Sequence, residues 1–475
     1  MKLIQLLLML SLTGILAVSC AMQHYHPVVI SPKETASTLE ARTLADPGVK
    51  EFINKSLGHT IAWPPKQWNL RLVTLAAFYF SPQIQAARDQ VAFAQAGEVT
   101  AAMRPNPSLS FSPGIPSPYL IGLGFLAPVV TAGKRTYQIE AAKNLSEAAR
   151  LNLAQTAWNV RSAVRTALIN ELAAEHANAV LRSEVQLRTR RAARLGEQLT
   201  AGEIATPVVT ASRVNLLNAQ LTLQAAEGQV AQTRAALAAA IGLPVSGLQG
   251  SQFDWPAMDQ LPLASSLSPA VIQHDAVLNR LDVREALVQY QAAQSNLQLQ
   301  IARQYPDVVI GPGYQFEEGH SFFAPDFGIT LPVFNRNQGP IAQAEAARKQ
   351  AADNLLAIQA QAIGQSEKAL ARYTAAYQQF QKAQSVLVSV GQIQVPMARR
   401  AISAGETDWL SLNTVLLQQS AVTGVVVNSL LQAQTALGQL EAAVERPLEP
   451  ADEVPLVIPE WPGPKAPVPS KGGRK

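Results

Sequence analysis

The sequence predicts a mainly α-helical protein with a small membrane β-barrel part, built from two copies of a β-β-α-α unit. Residues 104–114 align without a gap with residues 303–313, and the arginine, one proline and the final Pro-Gly pair are identical. The triplet that ends at Glu203 recurs as the triplet that ends at Glu406, each reading Ala-Gly-Glu. Pseudo-symmetric units that cannot bury their own apolar faces usually build a ring.

Each half contains two short segments with the two-residue period of a strand. In the first half, Leu109 and Phe111 alternate with serines, and residues 121–125 alternate large apolar side chains with glycine. In the second half, residues 308–315 and 327–331 form the corresponding pair. The sequence therefore predicts four strands per chain, with one apolar face.

A helix of unusual length follows each strand pair, predicted over residues 135–199 and 340–401. At 1.5 Å per residue these helices are about 98 and 93 Å long. The chain then turns and returns in shorter helices, residues 206–241 and 407–440. A helix over residues 82–103 precedes the first strand pair, and we expect it to stack end to end with the first return helix alongside the long one.

The domain organisation follows this duplication. Prolines interrupt the N-terminal region, which predicts an irregular strap on the outside of the protein, and eight prolines near the C-terminus predict an extended tail. The predicted segments are a signal peptide (1–19), the strap (20–70), the first repeat (71–242), an equatorial connector (243–275), the second repeat (276–440) and the Pro-rich tail (441–475).

The N-terminus predicts export and lipid attachment. Lys2 precedes an apolar run over residues 3–18, and the small Ser19 stands directly before Cys20, the single cysteine of the chain. This pattern resembles a bacterial lipoprotein signal, in which the cysteine thiol carries lipid. The alternative is an ordinary cleaved signal with an incidental cysteine, and both interpretations place the chain outside the cytoplasm.

Composition indicates which other functions are not expected. Charged residues make up 15% of the chain and the net charge of +4 is spread along it, so no nucleic-acid partner is expected. His24 and His26 lie in an irregular segment and predict no metal site. We find no nucleophile with a base and an orienting group, so the sequence predicts no enzyme and no cofactor.

The strand count constrains the oligomeric state. Four strands cannot close a membrane barrel, because the smallest single-chain barrels have eight and open sheet edges are not tolerated in lipid. Three copies supply twelve strands and bring twelve helical limbs into one tube about 100 Å long. The sequence therefore predicts a homotrimer in which a 12-stranded β-barrel is continued by a long α-helical barrel, an arrangement suited to a duct.

Several motifs at the strand and helix ends resemble the TolC family of outer-membrane efflux proteins. The resemblance rests on residues 106–107 (NP), 303–306 (RQYP), 331–339 (LPVFNRNQG) and the paired Ala-Gly-Glu turns, and it covers roughly residues 72–440. It implies a trimer in the outer membrane whose helical barrel extends into the periplasm. It also implies a tripartite pump with a periplasmic adaptor (membrane fusion protein) and an inner-membrane transporter, for which we expect the RND type.

The turns between strand and long helix carry a narrower resemblance. Asn335, Arg336 and Gly339 in the second half, and Gly133 and Lys134 in the first, are similar to outer-membrane components of heavy-metal resistance pumps. This similarity implies heavy-metal cations as cargo. The same residue types also cap helices and form turns with positive φ, which requires no contact with cargo.

The resemblance assigns adaptor docking to the hairpin tips at Gly202, Glu203, Gly405 and Glu406. Glycine is also what any tight turn between helices requires, and both interpretations can hold.

A gate is the other functional element that the family implies near the tips. Several family members carry aspartates a few residues into the return helix, where they form an electronegative constriction. In this chain Ser411 and Thr414 occupy the corresponding positions, and Asp408 lies closer to the turn. We consider these three residues as candidate lumen or gate residues, although the serine and threonine argue against an acidic gate.

Two other functions remain open at this point. A type I secretion conduit has the same fold and exports proteins. A periplasmic adaptor or structural helical lipoprotein would contain a single hairpin beside a split β domain, which the duplication contradicts. Genomic neighbours distinguish the first alternative, because an ABC exporter beside a large repeat protein favours secretion.

Overall fold

A computed structural model describes residues 25–114, 120–256 and 258–448. The chain divides into two compact units, Met1–Ala41 with Lys465–Lys475, and Arg42–Pro464. In the first unit the described residues form one helix, α1 (Pro32–Glu40). The predicted signal peptide, Cys20, His24 and most of the predicted tail lie outside the described residues, and the predicted domain boundaries stay predictions.

The second unit contains long helices and short strands in the predicted order. Its helices are α2 (Pro47–Leu57), α3 (Leu70–Phe80), α4 (Pro82–Ala102), α5 (Lys134–Thr200), α6 (Thr206–Ile241), α7 (Pro269–Leu278), α8 (Leu281–Ala302), α9 (Gln338–Ser389), α10 (Val395–Ser403) and α11 (Trp409–Val444). Its strands are β1 (Ser108–Gly114), β2 (Leu120–Val129), β3 (Val308–Gly311), β4 (Gly313–Glu317), β5 (His320–Phe323) and β6 (Asp326–Ile329).

The six strands form four passes of one antiparallel sheet, which confirms the predicted fold class at the level of the chain. β2 pairs with β1 on one side and with β3 and β4 on the other, and β6 and β5 pair in turn with β3 and β4. The register runs through both interruptions without a shift, so β3–β4 and β5–β6 are single passes. The interruptions fall at Pro312 and Pro325, which have no N–H to donate to a neighbouring strand.

The first long helix matches its prediction closely. α5 contains 67 residues, which corresponds to about 100 Å. α4 and α6 both pack along α5, and they meet where Gly242 ends α6 in a left-handed conformation with φ +88°. A Cβ atom on Gly242 would lie 3.4 Å from the backbone oxygen of Phe80, at the end of α3. The predicted stacking of two shorter helices along one long helix is thus present in the structure.

The second long helix differs from its prediction. In place of one helix over residues 340–401, α9 and α10 are joined by a π-helical turn at Val390–Gln394. Pro396 stands two residues after this turn, and a proline inside a helix removes one hydrogen bond and clashes with the carbonyl group four residues earlier. A π-helical turn provides the extra room for this residue.

The prediction that the strap is irregular is wrong, because its described part contains α1 and α2. Both helices begin with a proline directly after a capping side chain: Ser31 Oγ accepts from the amide of Glu34, and Asp46 Oδ1 accepts from the amide of Gly48. Proline at the first helical position suits a helix start, since the amide there has no helical partner. Pro32 therefore begins a helix, although the prolines of this region predict an irregular segment.

The main hydrophobic core lies where α4 and α6 meet beside α5. α3 occupies its centre, and nine of the eleven residues of α3 are buried. Side chains from α2, α5, α6 and the connector complete this core, including Phe52, Leu168, Leu237 and Trp255. Side chains of the predicted connector, such as Trp255, therefore pack against the middle part of α5.

A buried ionic network joins the two halves of the chain beside this core. Arg161 and Arg165 of α5 contact the Glu441 carboxylate of α11 at 3.1 and 3.3 Å, and the three side chains are 1–2% exposed. Arg165 also donates to the backbone and side-chain oxygens of Gln434 at 2.8 and 2.7 Å. Two guanidinium groups buried against one carboxylate hold α5 and α11 in a fixed register, because an unpaired buried charge is strongly unfavourable.

One helix in the described part of the chain, α11, is long and apolar enough by length and composition to cross a membrane. It packs along α9 and α10 as the return limb of the second hairpin. Its apolar side chains therefore contribute to packing between helices.

Candidate functional site

The sheet has two chemically different faces. Antiparallel partners lie on the same face and successive residues alternate between faces. One face is almost wholly apolar: Leu109, Phe111, Ile121, Leu123, Phe125, Val129, Val308, Ile310, Tyr314, Phe316, Phe323, Phe327 and Ile329. The other consists mainly of small and polar residues: Ser108, Ser110, Ser112, Gly122, Gly124, Gly311, Gly313, Gln315, Glu317, His320, Asp326 and Gly328, together with Leu120, Leu126, Val309 and Phe322.

The apolar face is open to its surroundings in the single chain. Leu109, Phe323 and Phe327 are 76, 73 and 71% exposed. A soluble surface rarely carries a contiguous apolar patch of this kind, whereas alternating apolar-out and polar-in residues are typical of membrane barrels.

Both edges of the sheet are open within the described residues. β1 forms one edge and the β5–β6 pass forms the other, and each pairs only on its inner side. Unpaired backbone groups along an edge template further strand pairing. The four passes therefore present two complementary surfaces for additional strands.

The first turn between strand and helix is held by the second half of the chain. Gly133 precedes α5 with φ +72°. The Lys134 ammonium donates to the Tyr305 carbonyl oxygen at 2.6 Å and to Asp307 Oδ1 at 2.7 Å. The Thr131 amide donates to the same Asp307 oxygen at 2.9 Å. Lys134 and Gly133 therefore position the start of α5 against the strand that begins at residue 308.

The contacts of Asp307 favour its ionised form. Burial raises the pKa of Asp307, but the hydrogen bonds from Lys134 and Thr131 outweigh burial and hold the pKa below its usual range. Its interactions therefore stabilise the fold above the ordinary pKa of an aspartate, and this stabilisation is lost as the pH falls through the lowered value.

The second turn uses asparagine where the first uses glycine. Asn337 precedes α9 with φ +62°, and its Nδ2 donates to the Gln300 carbonyl oxygen at 2.7 Å. The backbone amide of Asn337 donates to Asn335 Oδ1 at 2.8 Å. Arg336 lies in the turn and is exposed, and Gly339 lies inside the first turn of α9 with open space around its Cα. The left-handed residue of this turn is thus Asn337, and Gly339 does not have that role.

The two hairpin tips have the same geometry. Gly202 and Gly405 both have φ +74°, a conformation that strongly favours glycine after a helix. In each tip, the amide of the following glutamate, Glu203 or Glu406, donates at 2.9 Å to the carbonyl oxygen five residues earlier. All four residues are exposed. The tips therefore present two equivalent, solvent-facing surfaces.

Of the candidate gate residues, Asp408 caps the second return helix. Asp408 Oδ1 accepts from the Ser411 amide and hydroxyl, both at 2.9 Å, and these hydrogen bonds lower the pKa of Asp408. Thr414 accepts from Arg191 of α5 at 2.9 Å. Ala205 stands at the corresponding cap of α6, where no side chain caps the helix. Asp408 and Ser411 are thus brought together as a helix cap, and Thr414 contacts the neighbouring hairpin.

Metal-ligand clusters provide no candidate site in the described ranges. No group of three or more His, Cys, Asp or Glu residues that could hold a metal ion occurs there. His26 is exposed, and His24 lies outside the described residues.

Sequence reasoning missed two residues that organise the turns, Asp307 and Asn337. Asp307 directly follows the proline of the aligned RQYP motif, and Asn337 lies in an asparagine-containing turn three residues before Pro340. Polar residues that cap or hold a turn are recognisable by type, but their partners are 173 and 37 positions away in the chain.

We expect replacement of Asp408 by alanine to loosen the start of α11, because alanine removes the oxygen that caps the first turn. Hydrogen exchange of the peptide containing Ser411 should become faster in Asp408→Ala and stay close to wild type in Asp408→Asn, which keeps a capping oxygen and removes the charge. Glu406→Gln is the matched control for loss of charge at the same tip. Equal exchange in Asp408→Ala and wild type would contradict the capping role.

Comparisons with known proteins agree with this geometry. No family model matches the chain. The cobalt-zinc-cadmium resistance protein CzcC of Cupriavidus metallidurans is 28% identical over 238 residues, which are 48% of this chain and 54% of CzcC. The chain thus spans about half the length of this curated relative.

Solved structures match over most of the chain. The outer membrane protein VceC of Vibrio cholerae has a TM-score of 0.61 at 18% identity, over 80% of this chain and 97% of VceC. The CmeC outer membrane channel of Campylobacter jejuni has a TM-score of 0.61 at 14% identity, over 88% of this chain and 94% of CmeC. The chain therefore has the fold of the TolC-like outer-membrane channel proteins, as its resemblance to that family implies.

Proposed function

We propose that this chain is the outer-membrane channel component of a tripartite efflux pump and conducts its cargo passively. The observation that carries this proposal is the four-pass sheet, which has one apolar face, one polar face and two open edges. In lipid every backbone group needs an internal partner, so such a sheet is stable only when copies join edge to edge and close. Closure places the apolar face on the lipid and the polar face around a lumen.

A homotrimer is the assembly that we propose. Three chains of four passes give the twelve strands of a closed barrel, and β1 of one copy pairs with the β5–β6 pass of the next. The helices also carry unpartnered apolar side chains: Val214, Leu217 and Leu221 of α6 are 51–56% exposed, and Ile393 and Met397 on the second hairpin are 56 and 60% exposed. These surfaces suit packing of neighbouring hairpins into one helical tube.

The partners in the proposed pump are a periplasmic adaptor and an inner-membrane transporter, for which the RND type is our expectation. The equivalent exposed tips at Gly202, Glu203, Gly405 and Glu406 support adaptor docking there. The predicted signal sequence and lipid attachment at Cys20 support a location in the outer membrane, with the helices in the periplasm. The Cys20 anchor would add a second attachment to the membrane beside the barrel.

Heavy-metal cations are the cargo that we propose. The support comes from the cobalt-zinc-cadmium resistance protein CzcC, whose match covers about half of each chain. The turns that resemble metal-resistance components hold the strands against the helices, so these residues act on structure and give no support for contact with metal.

The channel proposal predicts discrete conductance from the purified full-length protein in a planar lipid bilayer, together with the mass of three chains in detergent. A barrel that three chains close around a polar lumen requires both results. A protein that remains monomeric and forms no channel would disprove the proposal.

The assignment of the two faces predicts opposite results for two arginine substitutions. Leu123→Arg places a charge on the lipid side and should destabilise insertion by about 2–4 kcal/mol, whereas Gln315→Arg places it in the lumen and should insert normally. The measurement is the fraction of heat-resistant trimer in outer-membrane preparations. If Gln315→Arg were the more damaging change, the faces would be assigned the wrong way round.

The cargo proposal predicts that a strain lacking this gene loses tolerance to Zn²⁺, Co²⁺ or Cd²⁺. Antibiotics and Cu⁺ serve as comparison compounds, and the wild-type gene should restore tolerance. Unchanged tolerance to all metals would exclude the metal assignment and leave the channel proposal intact.

A further inference from the structure

The charge of the sheet differs from the charge of the chain as a whole. The chain has a net charge of +4, but the described strands contain no lysine or arginine. Their carboxylates are Glu317 and Asp326, and both lie on the polar face. His320 is the direct partner of Glu317 at the far end of the sheet. The polar face is therefore acidic in an otherwise basic protein.

Asp326 lies within the wall and away from the loops. It pairs with Gly311, three residues before the helix-proximal end of its pass. Asp326 lies six positions after His320, which corresponds to about 20 Å along the strand. The polar face thus has two acidic levels, and Asp326 forms the level nearer the helices.

Two glycines on the polar face, Gly124 and Gly313, leave the space in which the Asp326 carboxylate lies. Its Oδ2 atom is 3.2 Å from the position that a Cβ on Gly124 would take, and 3.3 Å from that on Gly313. The side chain therefore reaches from β6 across the neighbouring pass to β2, flat against the polar face. Larger residues at these two positions would displace the carboxylate.

We propose that Asp326 is the main cation-selecting residue of the barrel interior. This inference rests on the proposed trimeric channel, in which the threefold axis places three copies of Asp326 at one height of the lumen. A ring of carboxylates in a cation pathway raises the local concentration of cations and repels anions. With no lysine or arginine on the described strands, the barrel wall itself supplies no opposing charge at this level.

The range of this effect follows from screening. The Debye length is about 10 Å at 0.1 M salt and about 3 Å at 1 M. At 0.1 M the field of the three carboxylates extends well into the lumen, and the level at Glu317, about 20 Å away, acts separately. At 1 M the field is confined to the wall, so selection by Asp326 depends strongly on salt.

The test measures the reversal potential of the full-length channel under a KCl gradient. Near 0.1 M, wild type should prefer K⁺ to Cl⁻, and Asp326→Asn should lower the permeability ratio about twofold or more, with little difference at 1 M. Glu51→Gln removes one exposed carboxylate from α2, away from the sheet, and should leave the ratio unchanged. A conducting Asp326→Asn channel with wild-type selectivity would overturn the inference while the proposed channel stands; wild type without conductance would instead disprove the channel.

A second variant tests the position directly, because the chain has a single native cysteine. In a Cys20→Ser background, Asp326→Cys should react with charged methanethiosulfonates from the aqueous side. A sulfonate reagent, which restores the negative charge, should return the permeability ratio towards wild type, and a trimethylammonium reagent should shift it towards anions. Failure of both reagents to change the ratio of a conducting channel would show that residue 326 does not face the lumen.

Discussion

The requirement that every backbone N–H and C=O group in lipid has a partner determines the rest of this structure. A four-pass sheet with one apolar face leaves two rows of unpaired groups, at β1 and at the β5–β6 pass. Among the described residues, no further strand pairs with the outer side of either edge. The sheet of one chain is therefore incomplete. The long helices follow its strands in the chain, so the symmetry that closes the sheet also arranges the helices.

Two sets of ion pairs hold the chain together: one connects the sheet to the helices, and the other connects the two halves. The Lys134–Asp307 pair, at 2.7 Å, joins the start of α5 to the base of the second strand pair. The network of Arg161, Arg165 and Glu441 joins α5 to α11 near the middle of the rods. Between them, α5 has one fixed point at its sheet end and one about 40 Å further along, at 1.5 Å per residue. Its distal part, towards Gly202, packs against other helices and makes further polar contacts, from Arg182 to Glu227 of α6 and from Arg191 to Thr414 of α11.

Much of this architecture could be predicted from the sequence because it depends on periodicity and repetition. Short sequence patterns are enough to predict some elements. Examples are the strand in which Leu109 and Phe111 alternate with serines, and the turns at Gly202 and Gly405. α3 was missed because its sequence is a short, mostly apolar run, and such a run does not by itself distinguish a buried helix from a strand. The π-helical turn before Pro396 was missed because the proline permits either a break or a widened turn. Asp307 and Asn337 were missed because their partners are brought near only by folding.

The π-helical turn at Val390–Gln394 has a consequence for the symmetry of the periplasmic end. The first hairpin has no such turn, since α5 is continuous from Lys134 to Thr200. In the proposed trimer, six hairpins would alternate between a regular and a widened form, so the grooves between them would be of two kinds. A partner that carries a single type of docking hairpin would then occupy three equivalent grooves, or would need two conformations to fill all six. In the proposed pump, the stoichiometry would thus be linked to one proline, Pro396, near the second tip.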